Sequence, residues 1–417
     1  MLSEVAGARF ARLPFSLAFW DGSVIAASEP VDEPVPTLHV GRRALGQLLH
    51  EPNQLGLTRA FVAGDLRFDG PLAEALSLRN RFGGVRLAPR ELARCAALAI
   101  RLGGLEALRP PHVPESELRP PGRRHSLRRD RSAVRHHYDV SNAFYRRLLG
   151  PSLVYSCAYF AEPGESLEAA QERKLELVCR KLRLGGGDRL LDIGCGWGSL
   201  VLHAAAHYGV HAVGITLSEA QAQLARRRVE DAGLADRCEI RVADYREIAD
   251  GPYDKIASIG MYEHVGAELL DTYAQTLARL LRPGGLVLNH GISRLASAAP
   301  AGEKSLIQRY VFPDGEIQPL ADVIAALQRA GLETRDAESL REHYALTLAR
   351  WLANLDAERE AVIDEIGLER WRVWQLYMTG SALAFEDADL SIYQVLAARY
   401  DGAHDLDLVR VDPLGRP

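Results

Sequence analysis

The sequence predicts an α/β fold: a Rossmann-like, doubly wound sheet with helical lid insertions and a small α/β N-terminal domain. Two observations carry that prediction. From residue 190 onward, short apolar runs alternate with segments of helical period, the pattern of a sheet covered on both faces. The first run, Leu190-Leu191-Asp192-Ile193, crosses Gly194-Cys195-Gly196-Trp197-Gly198 and enters Ser199-Leu200-Val201-Leu202, which reads as strand, tight turn and helix. Glycine lets the backbone approach a ligand closely, and the helix that follows points unpaired N–H groups at whatever occupies the turn.

Composition bounds the rest. The 417 residues suffice for one large domain and a smaller one, and 47% hydrophobic with 25% charged residues is ordinary for a chain with a full core. A net charge of −5 argues against nucleic acid as a partner. Cys95, Cys157, Cys179, Cys195 and Cys238 form no C-x-x-C and no zinc-type pairing, so reduced intracellular thiols and no metal are expected. No apolar segment approaches the ~20 residues of a membrane span. Glu4, Arg9 and Arg12, with Asp21 ending the apolar run from Phe15 to Trp20, do not resemble a signal peptide. A cytoplasmic protein with at most peripheral membrane contact is expected.

In chain order, residues 1–115 read as an accessory α/β domain with a lipid or oligomer role. Leu38–Gly41 predicts a strand, Arg42–His50 a helix, and Leu57–Gly70 a helix, a glycine stop and a strand. Leu92–Leu108 is helical and closed by Pro110-Pro111. Residues 116–136 form a basic connector carrying Arg119, Arg123, Arg124, His125, Arg128, Arg129, Arg131 and Arg135. It is equally a solvated linker or a patch for anionic lipid headgroups.

The catalytic domain is placed at residues 137–417. A helix starts near His137, with Asp139 or Ser141 as N-cap, and Gln171–Leu184 predicts another. Later strands are read at 212–216, 238–242, 255–259, 286–290, 332–336 and 391–396, with a helix at 218–232 and a turn at Leu281–Gly285. Asp192, Thr216, Asp244, Glu263 and His290 fall at strand ends, where such sheets bind ligands. Long insertions at about 293–331 and 338–389 carry Tyr310, Phe312, Tyr344, Trp351, Trp371, Trp374, Tyr377 and Phe385. Packing on the sheet accounts for most of these aromatics, yet their concentration suggests a lid over an apolar substrate.

Two nucleotide-type ligands compete for the glycine turn. A dinucleotide site needs G-x-G-x-x-G/A and an acid roughly 20 residues on. Here the third glycine arrives one residue early, and the strand Ala212-Val213-Gly214-Ile215-Thr216 ends without a carboxylate. The G-x-G-x-G spacing instead resembles the S-adenosylmethionine (SAM) loop of class I SAM-dependent methyltransferases.

Four ordered segments sharpen the resemblance: Tyr155-Ser156-Cys157-Ala158-Tyr159-Phe160, Leu191 through Gly198, Gly214-Ile215-Thr216-Leu217-Ser218-Glu219-Ala220-Gln221, and Glu263-His264-Val265-Gly266. With Tyr310-Val311-Phe312-Pro313-Asp314-Gly315, they resemble the cyclopropane-fatty-acyl-phospholipid synthase family (mycolic acid cyclopropane synthase-like) over about His136–Leu396. The resemblance implies transfer of a methyl or methylene unit from SAM to the cis double bond of an unsaturated phospholipid acyl chain. The carbocation so formed faces aromatic rings, with Tyr159, Phe160, Tyr310 and Phe312 as candidates, and loses a proton to bound bicarbonate or carbonate.

By the same resemblance, Cys157, Glu263, His290, Tyr344 and the backbone of Ile292 hold the anion. Taken singly, Cys157 also reads as a small core residue, His290 as a satisfied core histidine and Glu263 as a helix cap. For SAM, the candidates are Tyr155, Ser156, Asp192, Gly194, Gly196, Gly198, Thr216, Leu217, Gln221, Asp244 and Tyr245. Many relatives carry a Cys-Glu-Ala-Gly-Phe segment near the C-terminus; here it is Ser381-Ala382-Leu383-Ala384-Phe385, and serine without an adjacent base is a weak nucleophile. That variant resembles members making 10-methylene chains, precursors of 10-methyl chains, which implies a partner reductase. Cyclopropane and methylene products both remain open. A homo-oligomer at the membrane surface is expected. An amine N-methyltransferase and a catalytically silent SAM-binding partner are the rival readings.

Overall fold

A computed structural model describes residues 15–27, 36–51, 53–77, 113–119, 122–138, 140–298 and 305–400, with Leu406 and scattered positions between 90 and 101. Most of the helix read at Leu92–Leu108, together with Cys95, Asp139 and the opening Glu4, Arg9 and Arg12, lies outside the described residues. The chain divides into two compact units. The first takes Met1–Leu118, Gly302–Val311 and Gly367–Leu383; the second takes Arg119–Ala301, Phe312–Ile366 and Ala384–Pro417. Two segments read from the sequence as catalytic domain therefore group with the N-terminal region, and Tyr310, Trp371, Trp374, Tyr377 and Ser381 go with them.

In the first unit, β1 (Ser16–Phe19), β2 (Val24–Ile25), β3 (Thr37–Val40) and β4 (Leu66–Asp69) form a sheet in the order β2-β1-β3-β4. Helices α1 (Arg42–His50), α2 (Gln54–Ala63) and α3 (Leu72–Ser77) accompany it. The Asn53 side chain accepts from Leu55 N and Gly56 N to start α2, and left-handed Gly64 ends it. The sequence did not suggest β1 and β2, since short strands leave little periodic signal. Buried Arg59 binds Glu117 through two hydrogen bonds of 2.6 and 2.8 Å and Glu51 through one of 2.5 Å, and Tyr310 donates to Glu117 at 3.4 Å.

The second unit begins with α4 (Leu127–Tyr138), α5 (Asn142–Leu149) and α6 (Leu167–Lys181). Ser141 is the N-cap of α5. Strands and helices then alternate: β5 (Arg189–Ile193), α7 (Ser199–Tyr208), β6 (His211–Thr216), α8 (Glu219–Asp231), β7 (Cys238–Val242), β8 (Tyr253–Ile259), α9 (Leu270–Leu280), β9 (Leu281–Arg294), α10 (Leu320–Arg329) and β10 (Leu332–Ser339). Helices α11 (Arg341–Ala357), α12 (Arg359–Ile366) and α13 (Leu368–Glu386) precede β11 (Leu390–Arg399).

Among the described residues the sheet has seven strands in the order β10-β11-β9-β8-β5-β6-β7. Strands β5 to β9 pair in parallel, whereas β11 runs antiparallel to both β9 and β10. Two corrections concern β9. The stretch Leu281–Gly285, read as a turn, belongs to the strand as an irregularity: Tyr253 pairs with Leu281 and Lys255 next with Leu286. The strand also runs four residues past His290, so that histidine sits inside the sheet. Alternate residues feed two cores, one holding Leu190, Leu286, Leu288 and Leu396 and the other Leu191, Val287 and Val395, which is the signature of a sheet covered on both faces.

Candidate active site

The glycine turn leaves the carboxyl edge of β5, between β6 and β8. Gly194 takes φ +84°, and the N–H groups of Gly194 and Cys195 both donate to Ile215 O at 2.9 Å. A cavity opens above this turn, walled by Tyr155, Ser156, Asp192, Gly194, Gly196, Thr216, Leu217, Gln221, Asp244 and Tyr245. These are the residues read from the sequence as SAM contacts, except Gly198. That glycine is the left-handed N-cap of α7, and a Cβ there would lie 3.2 Å from Ala225 Cβ; it sets the approach of α7 to α8.

Local bonds position the polar groups. Thr216 donates to Gln221 Oε1 at 2.7 Å. Asp244 caps the turn at Tyr245–Glu247 and holds Arg246 at 2.7 and 2.8 Å, and Arg246 reaches Asp130 at 2.7 Å. Asp192 is buried, and burial raises its carboxyl to about 7, opposed by the Lys174 ammonium.

Sequence reasoning missed several residues on this wall: Lys174, Asp130, Tyr138, Met261 and His264. Lys174 is 2% exposed, donates to Ser156 Oγ at 2.9 Å, and burial lowers its ammonium to about 8. One signal was available: Lys174 stands three residues from Gln171 and four from Val178 on the buried stripe of α6, where a lysine is out of place. His264 turns into the cavity while its neighbour Glu263 turns to β9; burial drops His264 to about 4, so it is neutral.

The residues read as anion ligands lie outside the wall of that cavity, and all but His290 are linked through hydrogen bonds and one strand pairing. Glu263 Oε1 accepts from Ile292 N at 2.7 Å. Ile292 pairs with Ile392 across β9 and β11, and Ile392 O accepts from Leu340 N at 2.9 Å. Leu340 O in turn accepts from the Cys157 thiol at 3.7 Å and from Tyr344 N at 3.0 Å. His290 is fully buried, with Nδ1 3.0 Å from the Gln394 amide. Burial raises Glu263 to about 7, pushes the Cys157 thiol far up and holds His290 well below its usual value. Glu263 Oε2 and His290 Nε2 are buried with no hydrogen-bond partner among the described residues.

The aromatic candidates separate. Phe312 lines the cavity between His137, 4.3 Å away, and His264, 4.9 Å away. Tyr159 stacks on His343 at 4.4 Å, and Phe160 N donates to His343 Nδ1 at 3.1 Å; neither ring is on the cavity wall. Tyr310 belongs to the first unit. The stretch expected as a connector is also corrected in part: its second half is α4, which contributes Asp130, Ala133 and Val134 to the cavity. Arg129 grips Asp314 through bonds of 2.6 and 2.8 Å, and Arg131 binds Glu247 at 2.7 Å.

A seven-stranded sheet with one antiparallel strand, a glycine turn at its first carboxyl edge and an acid before that turn define a class I SAM-dependent methyltransferase. The family model described as mycolic acid cyclopropane synthetase matches residues 125–395, and the chain belongs to that family. It is 41% identical to a probable fatty acid methyltransferase of Pseudomonas putida, over 96% of each chain. It is also 41% identical to a probable fatty acid methyltransferase of Mycobacterium tuberculosis, over 90% of this chain and 89% of that one. Among solved structures, mycolic acid cyclopropane synthase CmaA1 complexed with SAH and CTAB matches with a TM-score of 0.61 and 32% identity, covering 64% of this chain and 98% of that one. The protein is thus an enzyme, a SAM-dependent methyltransferase of fatty acyl lipids.

Proposed function

We propose that the enzyme alkylates the cis double bond of unsaturated phospholipid acyl chains, working as a cytoplasmic, peripheral enzyme at the membrane surface and using bicarbonate as base. The observation that carries this reading is the pair of orphaned buried atoms, Glu263 Oε2 and His290 Nε2, with His290 in the field of the Lys174 and Lys181 ammonium groups. Leaving such groups unpaired costs about 1–3 kcal/mol each, and a small oxyanion satisfies both. The residues also fit SAM: the glycine turn leaves room for backbone approach, and the Asp192 carboxyl lines the cavity. SAM supplies an electrophilic methyl group when bound, and bicarbonate a base.

The chain's own residues do the rest. Gly194 and Gly196 admit the cofactor against the sheet, and Asp192 meets its ammonium end. Glu263, held through Oε1 by the Ile292 N–H, is protonated below about 7 and then donates from Oε2; above that value it accepts. Cys157 stays a neutral thiol, so it adds no negative charge beside an anion. Phe312 and Tyr138 line the cavity, where a chain carrying positive charge gains from the π-systems. Val134, Leu153 and Met261 keep the wall apolar, which suits an acyl chain and shields the cation from water.

The test is incubation with oleoyl-phospholipid vesicles and SAM, with and without bicarbonate, followed by lipid mass spectrometry. The expected result is the gain of one CH₂ per acyl chain, stimulated by bicarbonate. Loss of the olefin signal marks the cyclopropane, and its replacement by a terminal methylene marks the branched product, which a partner reductase would then consume. Turnover of amines in place of lipid would overturn the reading.

A further inference from the structure

We propose that Gln394 and Lys181 form a relay that fixes His290 as its Nε2–H tautomer, so that the histidine meets the bound anion as a donor; this rests on the anion site proposed above. The relay starts from a group that can only donate. Lys181, 3% exposed at its side chain, gives one bond to Gln394 Oε1 at 2.8 Å and another to the Glu338 carboxylate. An ammonium has no acceptor, so the oxygen of the Gln394 amide must face Lys181. Its nitrogen therefore faces His290 and donates to Nδ1 at 3.0 Å.

An imidazole that accepts at Nδ1 carries its proton on Nε2 while neutral. Burial and the fields of Lys174 and Lys181 keep it neutral. The fold enforces the contact: Gln394 lies directly opposite His290 in the β9–β11 pairing, and both side chains are fully buried. Nε2–H then points into the interior without an acceptor. The opposite tautomer would offer a lone pair to an anion and repel it. Gln394 is in this sense a positioning residue, one step removed from the chemistry, and it explains why a buried amide and a buried lysine stand behind the site.

The experiment replaces Gln394 by Glu. A carboxylate at this position pairs with Lys181 and accepts from Nδ1–H, which moves the proton and leaves Nε2 bare. In ¹⁵N-histidine spectra of the resting protein, with His290 assigned through His290→Asn, the wild type is expected to show the Nε2–H pattern and Gln394→Glu to lose it. The KM for bicarbonate is expected to rise by about 10-fold, the low end of what losing the partner of a metal-ligating histidine costs. SAH affinity by calorimetry is expected to stay within about twofold, which reports an intact fold. A wild-type Nδ1–H pattern, or an unchanged bicarbonate KM in the variant, overturns the relay. A wild-type enzyme indifferent to bicarbonate overturns instead the anion site itself, and the relay's role with it.

Discussion

Glu263 carries its charge in an interior that disfavours it, and that conflict is measurable without any substrate. Burial raises its carboxyl to about 7, while in the unfolded chain it titrates near ~4.3. Between those values the folded state binds the extra proton, so stability falls as pH rises through this window. Below ~4 both states are protonated and the effect vanishes. Asp192, also raised to about 7, acts with the same sign. Glu263→Gln is therefore expected to raise the melting temperature at pH 8 by roughly 2–5 °C and to leave it unchanged at pH 4, while slowing turnover. Differential scanning calorimetry of the two proteins checks this, and a lower melting temperature at pH 8 would mean that the carboxylate has a partner it is not shown to have. Glu263 and Cys157 were legible in the sequence because each stands in a short motif, and His290 because it closes an apolar run read as a strand. Lys174 and Gln394 were not, because a lysine on a helix and a glutamine on a strand look like surface residues until packing buries them.

At the level of elements, legibility followed periodicity. The strand, turn and helix around Gly194 and the alternation from β5 to β8 were readable because apolar runs and glycines repeat at fixed spacing. The place of β11 was not: antiparallel insertion between β9 and β10 is decided by how the chain returns after three helices, which no local pattern records. The basic run before residue 137 was visible as charge alone. Its helix became meaningful only through acids far along the chain, such as Asp314, 185 residues from Arg129. That bidentate pair is largely shielded, with side-chain exposures of 15% and 6%, and hydrogen bonds to charged groups in such settings contribute about 1.5–3 kcal/mol. Arg129→Ala is expected to loosen α4, speed proteolysis between residues 119 and 138, and weaken SAH binding about 3- to 10-fold, since α4 supplies part of the cavity wall. Arg129→Lys, which keeps the charge but loses the fork, should fall between. Unchanged protease resistance in the alanine variant would show that α4 holds its place without the pair.

For the molecule as a whole, the informative fact is that the first unit is assembled from three separate segments. Its later segments are held by its earlier one. Ser116 donates from both N and Oγ to Glu369, at 2.9 and 2.5 Å, Leu118 N donates to Arg309 O at 2.6 Å, and Arg372 donates to Val62 O at 3.2 Å. Removing residues 1–118 leaves Glu369, Arg372 and Tyr310 without these partners, in a stretch whose Trp371 and Val373 are only 7% and 6% exposed. Buried aromatics freed in this way form the kind of apolar patch that drives association. The family model, by contrast, begins only at residue 125, so family membership alone suggests that the remainder would stand alone as a methyltransferase. A variant lacking residues 1–118 is nonetheless expected to elute as aggregate in size-exclusion chromatography and to show no cooperative melting transition. A monodisperse variant that melts cooperatively and still binds SAH would show that residues 302–311 and 367–383 have a second stable arrangement, and that the N-terminal residues serve some purpose other than completing their core.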